Sequence, residues 1–156
     1  MFFRSFRVLY ITVCIIMFSS CNSSKKLNEH KTEHIYTFDF MINTSLAEVI
    51  DRAAIENKLV FVDVYAEWCL PCKMMDEDVF TDERLGSFFN DNFISLKVDG
   101  EKAEGPDIAF LYGINAYPTL LFLDHKGRIL EKKVGSAYHS EMRRLAMASL
   151  EKKKEM

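Results

Sequence analysis

A buried strand that leads straight into a Cys-x-x-Cys pair constrains this chain more than any other feature. Leu59 to Tyr65 (LVFVDVY) is almost continuously apolar. That is the pattern of a strand covered on both faces, in the middle of an α/β sheet. Trp68, Cys69, Leu70, Pro71, Cys72 and Lys73 follow almost at once. A helix that begins at Cys69 puts this thiol where free backbone N–H groups and the helix dipole favour negative charge. Its acidity should then exceed that of a free thiol, which makes Cys69 the expected attacking nucleophile. Cys72, one turn deeper, is the expected resolving thiol. Pro71 removes an N–H that the first helical turn would leave unbonded anyway, so it costs the helix little.

The rest of the chain supplies the elements such a sheet needs. Residues 35–41 alternate and predict a first strand. Ser45 with Glu48 forms a capping box, and Leu46, Val49, Ile50, Ala53 and Ala54 fall on one helical face. Asp82 or Thr81 can cap a further helix with Leu85, Phe88 and Phe89 facing inward. Phe93 to Val98 reads as a second central strand, and 107–112 as a short helix ending at Gly113. Thr119 to Leu123 and Ile129 to Val134 read as a hairpin around Asp124 to Gly127. A last amphipathic helix covers 138–151, with Met142, Leu145, Ala146 and Leu150 inward and Lys152, Lys153 and Lys154 at its C-terminal end. The order β-α-β-α-α-β-α-β-β-α predicts an α/β fold, a central mixed sheet flanked by helices, its parallel part first.

The N-terminus reads as a leader. Arg4 and Arg7 precede an apolar run from Val8 to Phe18, short for a membrane span and suited to a signal peptide. Ser19 and Ser20 then stand before Cys21, as in a bacterial lipoprotein box. On this reading residues 1–20 are a signal peptide, Cys21 is the lipid attachment point, 21–34 is a polar tether, and 35–156 is the folded domain. An ordinary secretory signal or a short uncleaved anchor are the alternatives. Cys14 would leave with the leader, so Cys69 and Cys72 remain as the free thiol pair. Loss of Arg4 and Arg7 would take the formal charge from −3 to about −5. Such a balance gives no support to nucleic-acid binding. A hydrophobic content of 49% suffices for one core of ordinary size, and a monomer is expected.

Zinc sites use the same cysteine spacing but need two more ligands. His125 and His139 lie far apart in sequence, and His30 and His34 read as linker residues, so no metal and no cofactor is expected. Copper handling by the thiol pair is a weaker alternative, since thiolates bind soft metals. Met74 and Met75, at helical spacing, read as core and contact residues instead.

Phe61 to Lys73 (FVDVYAEWCLPCK) resembles the active-site signature of the thioredoxin family. Lys97 to Asp99 (KVD), Leu111 to Phe122 (LYGINAYPTLLF), Lys126 with Gly127, and Val134 with Gly135 match its later landmarks in order. Val79 to Asp82 (VFTD) is more similar to periplasmic members, among them thioredoxin-like lipoproteins and the C-terminal domain of transmembrane disulfide reductases. The resemblance implies a thioredoxin-like fold and thiol-disulfide exchange. It implies that Pro118 is a cis-proline beside the disulfide, with Tyr117 backbone groups set to pair with substrate. It makes Asp63 the buried acid beneath Cys72, its pKa raised by burial, able to take that thiol's proton. Trp68, Leu70 and Pro71 would form the docking rim.

Three departures from the family pattern carry expectations. Leu70 and Pro71 replace a Gly-Pro pair, adding an exposed apolar contact. Ser95 stands where the family keeps a lysine near the buried acid, so Asp63 is expected to lack a cationic neighbour. Glu77 replaces a kink-forming proline, so the helix is expected to run straighter. The leading functional reading is a reductase of protein disulfides outside the cytoplasm, in the bacterial cell envelope and facing the periplasm. A membrane disulfide reductase would supply its electrons. An oxidase or isomerase, or a partner-binding or copper-delivery module, are the alternatives.

Overall fold

The computed structural model describes residues 36–155. Ser45 caps helix α1 (Leu46–Ile55), accepting from the Glu48 N–H while the Glu48 carboxylate accepts from the Ser45 N–H. Both halves of the box are thus made, and two orphan donors of the first turn are satisfied. Strand β1 (Phe40–Met41) precedes this helix and β2 (Leu59–Tyr65) follows it. Helices α2 (Leu70–Asp78) and α3 (Glu83–Asn92) lead to β3 (Phe93–Asp99). Helix α4 (Gly105–Leu111), strands β4 (Thr119–Leu123) and β5 (Ile129–Val134), and helix α5 (His139–Lys154) complete the chain. The element order is the one the sequence predicts.

The five strands lie in the order β1-β3-β2-β4-β5. β1 and β2 both run parallel to β3, whereas β2–β4 and β4–β5 are antiparallel. Parallel neighbours need crossover connections, whereas the consecutive antiparallel strands β4 and β5 need only a tight turn. Asp124 makes that turn: its carboxylate accepts from the Lys126 and Arg128 N–H groups at 2.8 and 2.9 Å.

Strand periodicity sorts the core into two layers. Phe61 on β2 joins Phe38, Phe80, Phe89, Phe93 and Phe122 on the face covered by α2, α3 and α5. Val60, Val62 and Val64 face the other way, with Leu96, Leu121 and Leu123, beneath α1 and α4. Every residue of β2 except Tyr65 is buried. That explains why this strand carries no polar alternation.

Three local expectations need correction. The first strand is only two residues long within the described part of 35–41. Its upstream residues bind elsewhere: the Thr37 N–H donates to the Phe80 carbonyl at 2.9 Å, which draws the segment away from the sheet. Ala54 is exposed, because it lies roughly 80° around the helix from Leu46. The last helix continues to Lys154 rather than 151. Cys21, the leader and the tether lie outside the described residues. Among the described residues no helix is long and apolar enough to cross a membrane.

Candidate redox site

β2 delivers the chain to Ala66, whose carbonyl accepts from the Cys69 N–H at 3.0 Å. This tight turn makes Cys69 the N-cap of α2. Its sulfur accepts from the Cys72 N–H at 3.2 Å, so a first-turn donor of the helix points at it. Cys69 and Cys72 are joined by a disulfide, with their Cα atoms 5.3 Å apart. Both are 2% exposed and pack with Ala66, Tyr65 and Tyr117. Pro71 sits in the first turn, where its missing N–H costs nothing.

The neighbouring loop completes the surface. The Tyr117–Pro118 peptide bond is cis, as the family resemblance implies. The Tyr117 ring meets the Trp68 ring edge-on, 5.9 Å between centroids. The Trp68 indole N–H donates to the Glu101 carboxylate at 3.0 Å. Gly100 permits this arrangement, since a Cβ there would stand 2.6 Å from the Tyr117 hydroxyl. Trp68 and Leu70 remain about two-thirds exposed, so an apolar rim surrounds a sheltered disulfide. Met75 is fully buried while Met74 stays partly open. Glu67 forms an ion pair with Lys102 at the outer edge of this rim.

The expectation that Asp63 lacks a cationic neighbour is overturned. Ser95 does stand on β3, but its cross-strand partner is Phe61. Asp63 pairs in register with Lys97, two positions further along the same face. The Lys97 ammonium lies 2.5 Å from Asp63 and 2.7 Å from Asp76 on α2. It also sits over the Tyr65 ring at 4.5 Å, with Phe80, Tyr36 and Phe40 within 5.6 Å. The cation thus comes from a residue two positions along the strand from Ser95, on the face that both share. A family comparison position by position misses this, because alternate residues of a strand share one face.

Burial pushes the Asp63 carboxyl above its ordinary value; Lys97 opposes this and the Asp76 charge adds to it. Burial also works against the Lys97 charge, but Asp63 and Asp76 outweigh it and hold the ammonium above its usual range. One oxygen of Asp63, Oδ1, has no hydrogen-bond partner among the described residues, nor does the Ser95 hydroxyl. Asp76 and Lys97 escaped the sequence reading as members of this site. The available signal was an acid one turn after Cys72, on the same buried helix face.

No group of three or more His, Cys, Asp or Glu among the described residues is placed to hold a metal. A cysteine pair that closes on itself at a helix start, next to a cis-proline on the central sheet, is the working part of a thioredoxin-like disulfide oxidoreductase. The family model described as Thioredox_DsbH, "Protein of unknown function, DUF255", matches residues 20–151, and the chain belongs to that family.

Relatives agree with this class. The solution structure of a proposed disulphide-isomerase from Bacteroides thetaiotaomicron is 36% identical, with a TM-score of 0.64, covering 72% of this chain and 93% of that one. Thioredoxin-T of Drosophila melanogaster is 38% identical over 80 residues, which are 51% of this chain and 47% of that protein. The thiol:disulfide interchange protein DsbD of Colwellia psychrerythraea is 29% identical over 133 residues, 79% of this chain. The chain thus spans about half of Thioredoxin-T and 22% of the DsbD relative.

Proposed function

We propose that this protein reduces protein disulfides outside the cytoplasm, as a periplasm-facing lipoprotein held to the membrane through Cys21. A membrane disulfide reductase serves as its electron donor. The observation that carries the redox part is the buried Cys69–Cys72 disulfide, with the Cys72 N–H bonded to the Cys69 sulfur. Direction is supported by Pro71 before the second cysteine, a feature that resembles reducing members of the thioredoxin family. The envelope assignment rests on the leader-like residues 1–20 and the Ser19-Ser20-Cys21 run.

In the reduced protein, the Cys69 thiolate attacks a substrate disulfide. One substrate sulfur leaves with the bonding electron pair, and a mixed disulfide forms. Tyr117 backbone groups beside Pro118 hold the substrate strand, and Trp68 and Leu70 cover its apolar neighbours. Cys72 gives its proton to Asp63 and attacks the Cys69 sulfur. The Cys69–Cys72 bond closes, and the reduced substrate departs.

Insulin reduction tests the activity: wild type should turn over, and Cys69→Ser should be inert. Equal rates would end the redox reading. A potential of about −270 mV marks a reductant, whereas one of about −120 mV would overturn the direction. Labelling with palmitate checks the anchor. Incorporation lost in Cys21→Ala supports it, and no incorporation into wild type removes it.

A further inference from the structure

Two acids share one lysine, one of them a helical turn from Cys72, and the arrangement is uneven. Asp63 is fully enclosed on β2, and one of its oxygens has no partner among the described residues. Asp76 lies at the edge of the same pocket of charge, with its side chain 11% exposed. It occupies the buried face of α2, one turn beyond Cys72, so the helix that carries the resolving thiol also carries the second acid. Lys97 bridges them from β3. Among the described residues, the other titratable groups facing this cluster are Tyr36, pushed up to about 12 by burial, and Tyr65, also raised by burial. Both phenols therefore stay neutral at the pH of the reaction. One cation faces two carboxyl groups.

We propose that Asp76 is a positioning residue for resolution: by engaging one side of the Lys97 ammonium, it keeps that cation from fully neutralising Asp63 and so preserves Asp63 as a strong proton acceptor. A lysine given wholly to Asp63 would stabilise its carboxylate and weaken it as a base. Asp76 withdraws part of that stabilisation and adds a negative charge of its own. The effect brings the proton affinity of Asp63 towards that of a thiol, where proton transfer is most effective. The inference rests on the redox reading above but not on its direction, its substrate or its compartment.

The test uses the reduced full chain and an equimolar aromatic disulfide, 5,5′-dithiobis(2-nitrobenzoate), in a stopped-flow instrument. Cys69 attack releases a first thionitrobenzoate and leaves a mixed disulfide. Cys72 then loses its proton, bonds to the Cys69 sulfur and releases the second thionitrobenzoate. Two electrons pass from the protein to the reagent. The rate of the second phase rises with pH as Asp63 ionises, and that acidic limb is the readout. Asp76→Asn and Asp76→Ser should shift the limb to lower pH by about half a unit or more. Each should also slow the plateau on the order of three- to tenfold. Asp76→Glu should restore both. In an Asp63→Asn background, Asp76→Asn should change nothing further.

An unmoved limb, a shift to higher pH, or an undiminished effect without Asp63 would overturn the proposal. So would loss of the folded state in both neutral variants while Asp76→Glu folds, since Asp76 would then be structural. Absence of any second phase in wild type would instead refute the redox reading itself.

Discussion

The two faces of the central sheet are equally dry and are built from opposite materials. One is aliphatic: Val60, Val62, Val64, Leu121 and Leu123 lie beneath α1 and α4 and carry no charge. The other is aromatic, and within its ring cluster it accommodates Asp63, Lys97 and Asp76. Ring pairs such as Phe38–Phe89 at 4.8 Å and Phe61–Phe122 at 5.2 Å each add about 0.5–1.5 kcal/mol beyond area burial. The electron-rich ring faces also stabilise a cation that aliphatic side chains would leave unsolvated. The contrast teaches where a folded chain can place a working charge: on the side where rings and counter-charges share its desolvation, while the other side holds the sheet together.

The most damaging way to break this contrast is to remove the cation. Lys97→Met leaves two buried acids facing one another and should cost about 3–5 kcal/mol in urea unfolding. Replacing Lys97, Asp63 and Asp76 together by Met, Leu and Leu should return most of that stability while slowing resolution. A cost under about 1 kcal/mol for Lys97→Met alone would show that the trio is not a closed charge system.

A finer comparison uses one residue type on both faces. Leu120 stands opposite Asp63 across β4 and β2, whereas Leu121 stands opposite Val62, and both are fully buried. Either change to Ala should cost about 2–5 kcal/mol. Only Leu120→Ala should relieve the desolvation of Asp63 and move the acidic limb of resolution to lower pH. Equal limbs in the two variants would mean that the faces are electrostatically alike.

The mildest probe is pH itself. Folding raises the Asp63 carboxyl above its ordinary 3.8. Its contribution is therefore complete below that value and declines as pH rises towards the folded value. Wild type should lose stability relative to Asp63→Asn across this window, with a slope no steeper than about 1.4 kcal/mol per pH unit. The opposite slope would mean that Lys97 outweighs burial.

The local features were legible because short-range chemistry specifies them. Ser45 and Glu48 define a capping box whatever surrounds them, and the apolar run of β2 admits few places but a sheet centre. The hairpin at Asp124 and the cysteine pair at the start of α2 follow from turn and helix rules in the same way. Tyr36 to Asp39 misled, since alternation alone does not say whether a neighbouring strand is present to pair with. Lys97 misled more instructively. Its role depends on β3 lying parallel to β2 in a register that sets it opposite Asp63, and nothing within either segment states that register.

By itself, then, the sequence determined the elements, their order, the disulfide-forming pair and the family pattern around it, because each depends on residues within a turn or a strand of one another. Tertiary structure alone decided which charge accompanies the buried acid, that Asp76 joins it, and that Gly100 makes room for Tyr117. These contacts link residues 17 to 34 positions apart. They exist only once strands and helices are packed, because short-range electrostatic and steric forces act on distance in space and not along the chain.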